Sequence, residues 1–221
     1  MKEKKINLVT EVVCSDDGSH TYEIKKTWDK QKKKGLVIEL YPTSSEAMNM
    51  DLSTMHLMNH ANELGFGTVR IVNLYSTIYN SKPLAKSLET EATNIKYILN
   101  ILDSPDIAEY NIVIAWGSSL SSNKKTIEKK LMLLSAMKEK KLFKQVKHIE
   151  AEEMDEDVPV GVHPLFLGLH YPKNKWSLKS FPVTETLAEL SRQLKKNNTK
   201  KKINKREDRN NVSKNNEWLR Y

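Results

Sequence analysis

Four short segments of this chain carry the side chains best suited to chemistry: Tyr41-Pro42-Thr43-Ser44, Asn73-Leu74-Tyr75-Ser76, Trp116-Gly117-Ser118-Ser119 and His163-Pro164. The first three each close a run of apolar, β-forming residues, and the fourth lies in the Pro/Gly-rich stretch VPVGVHPLFLGLHYP (158–172). Together they offer a carboxamide, an imidazole, several hydroxyls and aromatic rings, but no pair of carboxylates. That set suits acid–base hydrolysis of a sugar polymer poorly, because such hydrolysis works with two carboxyl groups. It suits the holding of a flat, hydrogen-bonding ring well. Each residue also has a structural role open to it: Asn73 as a turn cap, His163 as an ordinary loop histidine, Tyr41 and Trp116 as packing, and Ser118 and Ser119 as caps of the next helix. His56 and His60 stand at i, i+4, a spacing that can hold zinc, but the pattern supplies no third ligand. No Gly-rich phosphate loop is present, which argues against nucleoside triphosphate chemistry.

The elements that must position these groups alternate. Residues 6–13 and 20–28 are β-rich and flank SDDGS, so they predict an N-terminal hairpin. LVIEL (36–40), TVRIVNLY (68–75), YNIVIAWG (110–117) and the weaker KQVKHIEA (144–151) read as strands with few polar interruptions, Glu39 being the polar residue of the first. Such strands suit a parallel sheet covered on both faces. Between them lie helical stripes: Leu52 to Ala61, closed by Gly65; Leu84 to Leu102, ended before Pro105; Ile127 to Leu142, with lysines on its outer side; and Leu187 to Leu194. Thr43-Ser44-Ser45-Glu46 has capping-box spacing and predicts a helix start. Strand–helix alternation predicts a three-layer α/β/α domain with a short central parallel sheet plus the hairpin. In such a sheet, ligands bind beyond the carboxyl ends of the strands, where all four segments fall.

Composition bounds the rest. The chain has 221 residues, 38% of them apolar and 29% charged, with no apolar run long enough to span a membrane and no secretory signal at its start. A single cysteine, Cys14, permits no internal disulfide, and a cytoplasmic monomer is the expectation. The net charge of +8 is uneven: Arg192 to Tyr221 holds 11 Lys/Arg against 3 Asp/Glu, and the rest of the chain is balanced. The expected division is a folded domain over 1–196 and a basic tail over 197–221, without a stable structure of its own. That tail suits a polyanion, although a merely solubilising extension has the same composition.

The order LxPTS, a helix ending at Gly, VNLY, AWG and HPLFL resembles a bacterial and phage family known as domain of unknown function 1643, over roughly residues 20 to 183. More faintly it resembles the uracil-DNA glycosylase superfamily. That resemblance implies a glycosylase-like fold and an enzyme that flips uracil out of single- or double-stranded DNA, hydrolyses its N-glycosidic bond without metal or cofactor, and leaves an abasic site. It implies Asn73 as the amide that reads the base and His163 as the catalytic imidazole. Tyr41, Pro42 and Thr43 would line the base site. Pro42, Thr43, Ser44, Ser118 and Ser119 would meet phosphates, and Pro164, Leu165, Phe166 and Leu167 would form the loop that enters the DNA. A small acidic, DNA-mimicking inhibitor protein is an implied partner. Two departures stand out. Tyr41 occupies the place of the water-activating Asp or Asn, and a phenol with an ordinary pKa of about 10 is a poor base. Leu165-Phe166 replaces Ser-Pro. A glycosylase-like module that binds nucleic acid without cleaving it is the alternative.

Overall fold

The computed structural model describes residues 1–78 and 88–198. The predicted hairpin forms: β1 (Val9–Cys14) pairs antiparallel with β2 (Thr21–Thr27). Its turn is held by Asp17, whose carboxylate accepts from Ser15, from the Ser19 hydroxyl and from the Ser19 backbone N–H, which hold its pKa down to about 2.

Four strands then build the parallel core: β3 (Lys33–Glu39), β4 (Phe66–Asn73), β5 (Tyr110–Ile114) and β6 (Val146–Ala151). The complete order is β1-β2-β4-β3-β5-β6-β7, where β7 is Trp176–Ser180. The sheet is therefore mixed and seven-stranded, longer than the short parallel sheet expected. The hairpin extends one edge because β2 pairs antiparallel with β4, and β7 extends the other because it pairs antiparallel with β6. A bidentate contact locks the first extension. Arg70 of β4 donates from Nε and a terminal nitrogen to both carboxylate oxygens of buried Glu23 on β2, at 2.7 and 2.8 Å. Charge-assisted forked pairs of this kind are the stronger class of hydrogen bond.

Helices α1 (Leu52–His60), α2 (Leu88–Leu102), α3 (Lys124–Glu139), α4 (Pro164–His170) and α5 (183–198) cover the sheet. The chain passes from β3 to β4 on one side and then returns to β5 on the other. Right-handed crossovers therefore send α1 to one face and α2 and α3 to the opposite one. Two apolar clusters record this. Val37, Val69, Ile71 and Val113 pack with Leu57 of α1 and Leu167 of α4. Leu36, Ile38, Ile112 and Ile114 pack with Ile98, Leu133 and Leu190 of α2, α3 and α5. Each fully buried Leu or Ile in these clusters contributes about 1.5–3 kcal/mol.

Three sequence expectations change. No helix starts at Thr43: the N-cap of α1 is Asp51, whose carboxylate accepts from the Thr54 N–H at 2.7 Å. Thr43 and Ser44 instead tie the preceding loop, for which their short hydroxyls are equally suited. Segment 158–172 is not all loop, since His163 caps α4 and Pro164, lacking an N–H, sits in its first turn. The lysines of α3 are not all outward, because Lys130 is buried. Residues 197 and 198 belong to α5; the rest of the basic tail and the expected helix start at Leu84 lie outside the described residues.

Candidate functional site

The strand order reverses between β3 and β5, and there, beyond their carboxyl ends, a cleft of about 790 Å³ opens. Glu39, Leu40, Tyr41 and Thr43 follow β3 into it. Trp116, Gly117, Ser118 and Ser119 follow β5. Met50, Asp51, Leu52 and Ser53 come from the start of α1, and His163, Leu165, Phe166, Leu169 and His170 from α4. No described lysine or arginine lines it.

Its polar centre is an acid and an imidazole. Glu39 is 4% exposed, yet it reaches the cleft at the last position of β3. The Ser53 hydroxyl donates to its Oε1 at 3.1 Å, and His163 Nε2 stands 3.5 Å from its Oε2. His163 Nδ1 accepts from the Leu165 N–H at 3.3 Å, an arrangement that leaves the proton on Nε2, facing the carboxylate. Burial alone would lower the imidazole's pKa, but the Glu39 carboxylate, with Asp51 behind it, outweighs burial and raises it. Protonation of His163, which would take the Nδ1 lone pair from the Leu165 N–H, is thereby made easier than burial alone would allow. Gly117 permits this packing: its φ is +64°, and a Cβ there would lie 3.3 Å from the His163 Cβ. A second acid completes the wall, with Asp51 Oδ2 accepting from the Thr43 hydroxyl at 2.5 Å. The expectation of no paired carboxylates therefore fails, because Glu39 and Asp51 share the cleft.

The residues expected from sequence divide. Tyr41, Thr43, Ser118, Ser119, His163, Leu165 and Phe166 line the cleft together. Pro42 is buried beside it. Ser44 serves its own loop, its Oγ accepting from the Glu46 N–H and its carbonyl from Thr21. Pro164 and Leu167 are buried in the first turn of α4, Leu167 fully, so they cannot enter a duplex as half of a wedge loop. Asn73 is not among the lining residues. It sits at the end of β4, in register with Glu39, and β3 separates β4 from the β3/β5 switch point. Its buried Oδ1 has no hydrogen-bond partner among the described residues, and its carbonyl accepts from Asn94. Asn73 and His163 therefore do not meet in the cleft, where Glu39 is the residue beside His163.

Glu39, Asp51 and Ser53 are the residues that sequence reasoning missed. Glu39 had a visible signal, as the lone acid in an otherwise apolar buried strand, where an ionised carboxylate is costly unless it is paired. The zinc spacing has another explanation. His60 stacks on Trp176 at 4.0 Å and bonds Glu63 at 3.0 Å, and His56 fills the space left by Gly168, where a Cβ would fall 2.0 Å from its ring. No cluster of three metal-binding side chains occurs among the described residues. Nor is any described helix long and apolar enough to cross a membrane.

A family model described as "Protein of unknown function (DUF1643)" matches residues 21–165. No curated protein and no solved structure matches the chain.

Proposed function

The chain belongs to this DUF1643 family, whose description states no activity, and we propose that it hydrolyses the N-glycosidic bond of a base held in the cleft, with uracil in DNA as the substrate. One observation carries the reading: the His163 imidazole, its Nε2 3.5 Å from a buried carboxylate that raises its pKa, lies inside a largely apolar cleft at the switch point. The Tyr41, Trp116 and Phe166 side chains give that cleft aromatic surfaces for a flat ring.

In the proposed reaction the bond from deoxyribose C1′ to uracil N1 breaks and its electron pair leaves with the base. His163 donates a hydrogen bond from Nε2 to the base oxygen where negative charge builds. Glu39 stabilises the cationic sugar and takes the proton of the water that adds at C1′, the task that a phenol at position 41 performs poorly. The proton then passes to the departed uracil. The products are free uracil and an abasic site.

The test is incubation with a single-stranded oligonucleotide bearing one uracil, followed by alkali to cut at abasic sites. Expected is scission at the uracil, reduced on the order of 100- to 1000-fold in His163→Gln. Binding without scission would replace this reading by that of a non-catalytic binding module, for which Tyr41 in the water-activating position is the supporting observation.

A further inference from the structure

The two edges of the sheet differ in how they are guarded. β7, at one edge, has five residues, carries exposed Lys179 and is followed by Pro182. Short length, a lysine and a nearby proline are devices that keep a sheet edge from pairing with another chain. β1, at the other edge, has six residues, no proline and no lysine, and no described strand lies on its outer side. Its one charge, Glu11, is already paired with Lys25 of β2 at 2.7 Å. The irregularity in the hairpin falls on β2, where the register passes from Glu23 to Thr21 while β1 advances from Val13 to Cys14, so β1 itself stays regular. Apolar side chains stand along this open edge and just before it: Ile6, Leu8, Val9 and Val13 are 70%, 44%, 55% and 41% exposed. Such a row on an unpaired strand is a template for pairing, unlike apolar residues scattered singly.

The charges that flank the strand indicate what pairs with it. Residues 2–5 hold three lysines and one glutamate, while Asp16 and Asp17 follow the strand. Antiparallel pairing with an identical strand brings the basic end of one against the acidic end of the other, at both ends at once. Parallel pairing sets like against like. A two-fold axis normal to the sheet keeps each face of the strand on its own side, so only registers that pair residues of one face are open. An axis at Glu11 would set two carboxylates opposite each other, and one at Val12 would set Leu8 against an aspartate. An axis at Thr10 sets Leu8 opposite the partner's Val12, Ile6 opposite the partner's Cys14 and Lys4 opposite the partner's Asp16. We propose that the chain forms a dimer, in place of the monomer expected from sequence, in which two copies join through β1 in this antiparallel register and their sheets become one. The parallel strands of the two copies then run in opposite directions. The two clefts open at opposite ends of the joined sheet, each complete in itself, and the dimer does not depend on what the cleft does.

The experiment is sedimentation velocity of the full chain over about a hundredfold range of concentration. The mass is expected to rise towards twice that of the single chain. Ile6→Lys with Leu8→Lys places charge along the open edge and is expected to abolish that rise. Both positions are exposed and precede β1, and circular dichroism with melting confirms that the variant folds. The register has its own readout, because Cys14 is the chain's single cysteine. Opposed residues of antiparallel strands have Cα atoms about 4.5–5.5 Å apart, within the span of a disulfide. Ile6→Cys is therefore expected to give a covalent dimer on mild oxidation, and addition of Cys14→Ser is expected to abolish it. The parent is expected to give none, since its two Cys14 residues would stand eight residues apart along the strands, about 26 Å at about 3.3 Å per residue. A single-chain mass at every concentration, or a dimer that survives the lysine variant, overturns the proposal. Cross-linking of the parent as readily as of Ile6→Cys overturns its register. Scission at uracil is expected to be the same in the lysine variant as in the parent, so the dimer and the catalytic reading fail separately.

Discussion

Glu39 and Lys130 are both buried charges near the carboxyl end of the sheet, and they are handled in opposite ways. Glu39 faces the α1/α4 side, where the Ser53 hydroxyl and the His163 imidazole meet its two oxygens. Lys130 faces the α3 side, 5% exposed, with its amine 3.5 Å from the Gly117 carbonyl and 4.9 Å from the centroid of the Trp116 ring, and with no carboxylate in an ion pair with it among the described residues. Burial pushes its pKa down to about 8. An acid supplied with an imidazole and a hydroxyl donor is compensated where it is buried, whereas an amine given a carbonyl and a ring face is held at a cost to the fold. Both act on the same wall, since Trp116 and Gly117 lie between the cleft and Lys130.

The largest effect expected from this contrast is catalytic. Glu39→Gln keeps the shape and an acceptor for Ser53 but removes the charge that faces His163. Scission at uracil is expected to fall on the order of 100- to 1000-fold, the usual consequence of removing one group aimed at developing charge. Thermal melting should move little beside that. A rate within about threefold of the parent chain would leave Glu39 a structural acid and end its assigned role.

How much of this was legible follows the same divide. The four parallel strands and the helices from α1 to α3 and α5 stood out because apolar periodicity is a local signal. β7 escaped because WSLKS is short and half polar, with Trp176 fully buried and Leu178 partly buried against the core. His163, singled out in the HPLFL stretch, does line the cleft, although the helix it caps was not foreseen. Asn73 was misplaced in the cleft because strand order cannot be read from strand sequences: β4 lies on the far side of β3 from the switch point. Asp51 was hidden behind the stronger capping-box pattern at Thr43, which folds instead as a loop bonded to Asp51 itself. Lys130 looked like one of a row of surface lysines, and its burial depends on α3 packing over Trp116, a tertiary fact.

The second effect concerns stability. Lys130→Met keeps the length of the side chain and removes the buried charge, and it is expected to stabilise the fold at neutral pH by about 1–3 kcal/mol, the lowered amine pKa offset by the lost contact with the ring. The sign against pH is fixed. In the parent chain the unfolded amine holds its proton up to an ordinary lysine value of about 10.4, while the folded amine loses it near 8. Between those values the unfolded state binds more protons, so stability rises with pH. Urea titrations from about pH 7 to pH 10 should show that rise in the parent and a flat profile in the variant. A variant less stable than the parent at pH 7 would show instead that the amine's hold on Trp116 and Gly117 outweighs its burial, and the contrast with Glu39 would disappear.

The smallest effect is the most direct reading of the acid–imidazole pair. His163 has a raised pKa because Glu39, aided by Asp51, overcomes the opposing effect of burial. In Glu39→Gln burial is left opposed only by Asp51, and the imidazole should titrate lower than in the parent. Side-chain NMR of the imidazole across pH 5 to 8 measures it. The linkage has a definite direction. A histidine whose pKa is higher when folded adds stability that is complete below its unfolded value of about 6.5 and fades as pH rises through the folded one. The parent should therefore lose a small increment of stability above pH 6.5 that the variant lacks. An unchanged titration in Glu39→Gln would mean that the 3.5 Å approach carries no coupling, and the cleft would hold an acid and an imidazole that act independently.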